Sequence, residues 1–283
     1  MTATLLDGKT TARTWRAATK ARVDQLRQAA ITPGLAVVLV GHDPASEIYV
    51  RNKARQAEQV GITSIVERLP EDTTQAAVLA LVDRLNHDPH VDGILVQLPL
   101  PVQLDETAVL LAVAPAKDVD GFHPFNLGQL WSGHPDLVPA TAAGIMALLE
   151  AYQLPVAGKN AVVLGRSLIV GRPVAALLLA ADATVTVAHS HTQAVEKLAQ
   201  QADILIAAVG QANFVTPAFV KPGAVVIDVG TNRVAGHLVG DVAAEVASQA
   251  GYLTPVPGGV GPMTIAALLS QTVDLAERRQ QRG

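Results

Sequence analysis

VVLGRSLIVGRPVAALLL (162–179) decides the fold. An apolar, β-branched run stops at Gly165, a short polar turn follows, and an apolar helical pattern opens at Gly171. Strand, turn and helix in that order are the opening unit of a parallel α/β sheet. Such a turn aims backbone N–H groups and a helix N-terminus at an anion. The signature G-x-G-x-x-G is absent, because the two glycines stand six apart. A ligand-free βα turn uses glycine for the same backbone reasons.

The next strand narrows the ligand. It ends in VAHSHT (187–192). In NAD-binding folds an acidic residue about 20 positions on holds the ribose 2′-hydroxyl. No acid stands there, whereas Arg166 lies in the turn and Ser190 follows the strand. That combination favours NADP over NAD. His189 and His191 alternate as metal ligands on a strand end can, but no third ligand is evident. Zinc sites normally use three or four protein ligands, so no metal is expected.

Outward from this turn the rhythm continues. NAVVLG, ATVTVAH, DILIAAVG and AVVIDVG read as strands with helices between them. Before it, LAVVLVG (35–41), TSIVERL (63–69) and GILVQL (93–98) read as strands, with a helix near 74–87 and another at LDETAVLLAVA. Asp43 and Pro44 signal a helix start and Gly61 a stop. The stretch from Pro115 to Pro139, rich in Gly, Pro, His and Asp, breaks the rhythm and reads as a functional loop or linker. A last helix is expected over roughly 262–282. The fold class is therefore two α/β domains: 1–139 plus 262–283, and a Rossmann-like second domain at 140–261.

Composition removes other classes. Hydrophobic residues make up 49% of the 283 and charged residues 16%, which supports a sizeable core. A net charge of -4 leaves no basic footprint for nucleic acid. With no cysteine there is no disulfide or thiolate chemistry, which fits a reducing cytosol. MTATLLDGKTTART has no long apolar run, so no signal peptide is expected. No apolar stretch reaches the roughly 20 residues needed to span a membrane. The expectation is a cytoplasmic protein.

SEIYVRNK (46–53) places Ser46, Tyr49 and Lys53 on one helical stripe beside Val50, Ala54 and Ala57. An amine there is partly desolvated, which lowers its pKa; a lysine snorkelling over core has the same spacing. Tyr-x-x-x-Lys also occurs in short-chain dehydrogenases, but there the pair follows the dinucleotide turn, and here it precedes the turn. Gln97 falls near the carboxyl end of a strand, where ligands of open α/β sheets collect. Asp118 and Asp120 lie in the long loop, where acids are usually solvated.

Together these segments resemble the bifunctional methylenetetrahydrofolate dehydrogenase/methenyltetrahydrofolate cyclohydrolase family. The stretches are VGHDPASEIYVRNKARQAEQVGI, DGILVQLPLP, KDVDGFHPFNLGQL, GRSLIVGRP, AVVIDVGTN, GDV and TPVPGGVGPMT, in the family's order. The resemblance implies NADP-dependent oxidation of 5,10-methylenetetrahydrofolate and hydrolysis of the methenyl product to 10-formyltetrahydrofolate. It implies a folate cleft between the domains, no metal, and a homodimer joined through the cofactor domains. Carried onto this chain, Lys53 is the catalytic lysine and Gln97 its partner. Tyr49 stacks on and orients the folate, Ser46 supports the site and Asp120 holds the pterin. Gly165, Arg166, Ser167, Ser190 and Thr231 fall at cofactor-contact positions, and Pro257, Gly258 and Gly259 line the cleft.

Four positions, in three segments, depart from the family pattern. Its PCTP segment reads PATA (139–142), Leu168 stands where asparagine or lysine is usual, and Thr231 where isoleucine or valine is common. None touches Lys53, Gln97 or Asp120. Two other readings stand beside the bifunctional one: a dehydrogenase with weak or absent cyclohydrolase activity, and a non-catalytic dinucleotide sensor. A sensor has no need of Tyr49, Lys53, Gln97 and Asp120.

Overall fold

The computed structural model describes residues 2–282. Its elements alternate as the apolar runs predict. The first half carries β1 (Thr4–Leu5), α1 (Gly8–Gln28), β2 (Gly34–Val40), α2 (Pro44–Val60), β3 (Thr63–Leu69), α3 (Gln75–His87), β4 (Gly93–Val96), α4 (Glu106–Ala112) and α5 (Pro124–Trp131). The second half carries α6 (Ala140–Ala151), β5 (Asn160–Leu164), α7 (Gly171–Ala180), β6 (Thr184–Ala188), α8 (Val195–Ala199), β7 (Ile204–Ala207) and β8 (Val225–Asp228). The hairpin β9 (Asn232–Val234) and β10 (His237–Val239), β11 (Tyr252–Leu253) and α9 (Val260–Arg282) complete it.

Contacts divide the chain into two compact units. One combines residues up to Arg13 with Pro139–Thr264; the other combines Thr14–Val138 with residues from Ile265 onward. The N-terminal residues join the later unit because β1 pairs in parallel with β11, Thr4 opposite Tyr252. A boundary at 139 alone does not separate them that way.

The Thr14–Val138 unit holds a three-stranded parallel sheet in the order β3-β2-β4. Every residue of β2 is buried, as expected of a central parallel strand. The other unit holds a six-stranded parallel sheet in the order β1-β11-β8-β7-β5-β6. β5 has β6 on one side and β7 on the other. The chain reverses its direction of travel there, and ligands of doubly wound sheets collect at that point.

The Pro115–Pro139 stretch is not all loop. Pro124 takes the first turn of α5, and the His123 ring accepts a hydrogen bond from the Phe125 amide at 3.1 Å. Asn126 and Leu130, one turn apart, are the buried side of this short helix.

Candidate active site

In the Thr14–Val138 unit the site starts with α2. The Asp43 carboxylate caps it by accepting the Ser46 amide at 2.8 Å, and Pro44 occupies the first turn. The helix stops at Gly61, in the left-handed region at φ 90°. Both signals act where the sequence places them. Val50 and Ala57 are fully buried and seat the helix. Ser46 is buried and Tyr49 is 42% exposed, so the phenol is available to a ligand. Lys53 is half-buried.

Gln97 follows β4, and its amide still donates to Val38 O at 2.9 Å. Its side-chain Nε2 donates to Leu98 O at 2.8 Å. A carbonyl can only accept, so this bond fixes which way the amide faces. Oε1 is turned toward Lys53 and accepts from Nζ at 3.2 Å.

Burial lowers the Lys53 pKa, against the charge of Asp120, which raises it. Burial pushes Asp120 up to about 6; Lys53 opposes that rise and Asp118 adds to it. Amine and carboxyl thus shift in the directions that make each less charged. Asp118 is not the solvated loop acid that composition suggests. It is buried, its backbone bridges to Ile94 of β4, and its carboxylate accepts from the His123 amide at 2.7 Å and Asn126 Nδ2 at 2.9 Å. It anchors the loop that carries Asp120.

In the other unit, a cavity of about 520 Å³ opens at the carboxyl ends of β5 and β6. Gly165, Arg166, Ser167, His189, Ser190 and Val209 are among its lining residues. The turn needs both of its glycines. Gly165 has φ 113°, and a Cβ there would lie 2.1 Å from Ala208 O; one at Gly171 would lie 2.3 Å from Gly165 O. Ser167 Oγ accepts the Val170 and Gly171 amides at 3.2 and 3.3 Å, tightening the entry to α7. A glycine cradle, an exposed arginine and a serine hydroxyl fit a phosphorylated dinucleotide. Thr231 is exposed after β8 and lies outside this lining.

Pro257, Gly258 and Gly259 follow β11 and pack on the start of α1, where a Cβ at Gly8 would lie 1.8 Å from Gly259 O. His189 Nδ1 accepts the His191 amide at 3.2 Å. Among the described residues no group of three His, Cys, Asp or Glu is placed to hold a metal ion. A larger cavity, about 800 Å³, lies at the amino end of β4 beside Asp92, Lys117 and Arg279, and contains none of the expected site residues.

Residues 6–120 match the catalytic domain of tetrahydrofolate dehydrogenase/cyclohydrolase, and residues 139–280 match its NAD(P)-binding domain. The chain belongs to the tetrahydrofolate dehydrogenase/cyclohydrolase family. It is 58% identical to the bifunctional protein FolD of Lacticaseibacillus casei (strain BL23) over 279 residues, 98% of this chain and 99% of that one. It is 59% identical to the bifunctional protein FolD of Acidiphilium cryptum over 282 residues, 99% of this chain and all of that one. The crystal structure of the bifunctional FolD enzyme from Campylobacter jejuni superposes with a TM-score of 0.96 at 48% identity, covering 98% and 99% of the two chains. The Trypanosoma brucei enzyme, solved with NADP cofactor and an inhibitor, gives 0.95 at 40% identity over the full length of both. As a member of this family the chain is a tetrahydrofolate dehydrogenase/cyclohydrolase with a catalytic domain and an NAD(P)-binding domain. The two matched regions carry the two constellations described above, one in each compact unit. No described helix is long and apolar enough to cross a membrane.

Proposed function

We propose that this protein oxidises 5,10-methylenetetrahydrofolate with NADP and hydrolyses the methenyl product to 10-formyltetrahydrofolate, using Lys53 as the base. The observation that carries this reading is the Lys53–Gln97 contact. Gln97 Oε1 takes one N–H of the amine, and burial favours the neutral form. The lone pair of that amine is then available for a water. A cationic methenyl substrate also tolerates a neutral amine better than an ammonium.

In the hydrolytic step the water oxygen bonds to the bridging carbon while Lys53 takes a proton from it. The hydroxyl left on that carbon then gives up its proton and becomes the formyl C=O as the bond to N5 breaks; N5 gains a proton, the formyl group stays on N10, and one proton is released overall. In this reading Tyr49 stacks on and orients the folate, Ser46 supports the start of its helix, and Asp120 holds the pterin and biases Lys53. Pro257, Gly258 and Gly259 complete the substrate contacts. Arg166 and Ser190 read the 2′-phosphate of NADP, Gly165 and Ser167 admit the phosphates, and Thr231 contacts the cofactor. The nicotinamide, when bound, supplies the hydride acceptor.

The folate domain is assigned to 1–139 plus 262–283 and the cofactor domain to 140–261, with the first thirteen residues contributing β1 to the latter's sheet. A homodimer joined through the cofactor domain belongs to the same proposal. β6 is an edge strand, and Val187 on it and Leu179 of α7 are exposed apolar side chains, a surface that a second copy can cover. The cysteine-free composition supports a cytoplasmic setting.

The test mixes purified protein with methylenetetrahydrofolate and NADP or NAD, and follows reduced cofactor and methenyl absorbance together. Reduced cofactor should form with NADP, and methenyl absorbance should rise and then decay. Methenyl that accumulates and decays only at the uncatalysed rate leaves a dehydrogenase alone.

A further inference from the structure

The GDV segment (240–242) carries a carboxylate with no role in the chemistry above. Asp241 is fully buried. Its Oδ2 accepts the amides of Val209 at 2.6 Å and Gly210 at 2.9 Å. Its Oδ1 accepts the Gln211 amide at 3.0 Å and Asn232 Nδ2 at 2.8 Å. Three successive backbone N–H groups turned on one anion form a nest, a concavity that elsewhere binds phosphate. Here the chain fills it with its own side chain. Val209 and Gln211 also line the dinucleotide cavity, and Asn232 opens the hairpin that follows Thr231.

The clamp is itself held. Asp228, at the end of β8, accepts the amides of Gly230, Asp241 and Val242 at 2.9, 2.9 and 3.0 Å. Space around the pair admits only glycine. A Cβ at Gly230 would lie 2.4 Å from Asp241 Oδ1, and one at Gly240 would lie 1.8 Å from Asp228 Oδ2.

We propose that Asp241 is a positioning residue for the cofactor: it ties the Val209–Gln211 wall of the cavity to the β9–β10 hairpin and fixes the cavity's shape. The proposal rests on the reading of that cavity as the dinucleotide site. Because each oxygen already accepts two N–H groups, an amide cannot replace the carboxylate in either orientation. Asp241→Asn turns an NH₂ group on two donors whichever way it faces.

The experiment compares full-length wild type and Asp241→Asn in NADP binding by titration calorimetry, in NADP-dependent oxidation, and in methenyltetrahydrofolate hydrolysis without cofactor. Loss of two charge-assisted bonds should raise the NADP Kd and KM at least about tenfold. Hydrolysis, which uses no dinucleotide, should stay within about twofold, the margin expected of a site without shared partners. If Asp241→Asn does not fold, Asn232→Ala removes one donor and should raise the NADP KM about threefold with hydrolysis intact. NADP binding as tight as wild type, or oxidation and hydrolysis falling together in a folded variant, overturns the role. A wild type that binds no dinucleotide overturns the underlying reading, and this one with it.

Discussion

Lys53 Nζ donates to Gln97 Oε1 at 3.2 Å, while Gln97 Nε2 is tied to Leu98 O. The amide therefore has one orientation, and it offers the lysine an acceptor. An acceptor can hold a neutral amine by one N–H and leave its lone pair clear. Gln97→Glu would place a charge there, favour the ammonium and raise the Lys53 pKa. Cyclohydrolase activity in that variant should fall at neutral pH and recover partly as pH rises. A loss that is flat with pH would separate Gln97 from the protonation of Lys53.

Arg166 is exposed in the turn after β5, and Ser190 lies across the same cavity. Charge-assisted bonds to phosphate contribute about 1.5–3 kcal/mol. Arg166→Ala should raise the NADP KM tenfold or more, at about 1.4 kcal/mol per decade, and the NAD KM far less. Steady-state kinetics with both cofactors checks this. An equal loss with each would show that Arg166 does not read the 2′-phosphate.

Asp120 gives a pH dependence with a definite sign. Its folded pKa of about 6 exceeds the unfolded value of about 3.9. Between those values the folded state binds more protons, so its contribution makes stability fall as pH rises through the window. Asp120→Asn should flatten that fall, in part only, since burial also pushes Asp228 up to about 6. Removing the charge also lowers the Lys53 pKa further, which shifts the acid limb of the hydrolytic kcat profile to lower pH. Urea unfolding at several pH values and the kcat profile measure the two effects separately.

These charges show how far the sequence alone reaches. Lys53, Tyr49 and Ser46 are legible because helical spacing puts them on one stripe, and Gln97 because ligands gather at strand carboxyl ends. The turn at Gly165 is legible because its glycines mark a backbone that tolerates no Cβ. β1 is not legible: it has two residues, and its pairing partner, Tyr252, lies at the far end of the chain. α5 is hidden by composition, since Pro124 and His123 start a helix with the same residues that mark a loop. The burial of Asp118 and Asp241 is hidden for another reason. Their donors are backbone N–H groups and side-chain amides, five and eight residues on for Asp118 and nine to 32 residues back for Asp241, and no helical or strand periodicity records them.

The loop at Pro257–Gly259 gives a stability prediction. A Cβ at position 8 would lie 1.8 Å from Gly259 O, a backbone atom that cannot swing aside. Gly8→Ala should destabilise the protein by about 1–3 kcal/mol, as overpacking against fixed atoms does. Equilibrium unfolding measures it, and an unchanged midpoint would mean that this contact is loose in solution.

Hydrolysis of methenyltetrahydrofolate by Lys53→Met, in protein shown by circular dichroism to be folded, tests the central claim most directly. The rate should fall at least about 100-fold, the low end of what a positioned base supplies. Lys53→Arg should fail nearly as badly, because arginine keeps its proton, and NADP-dependent oxidation should fall less. Hydrolysis near the wild-type rate in Lys53→Met would make this lysine structural and contradict the account.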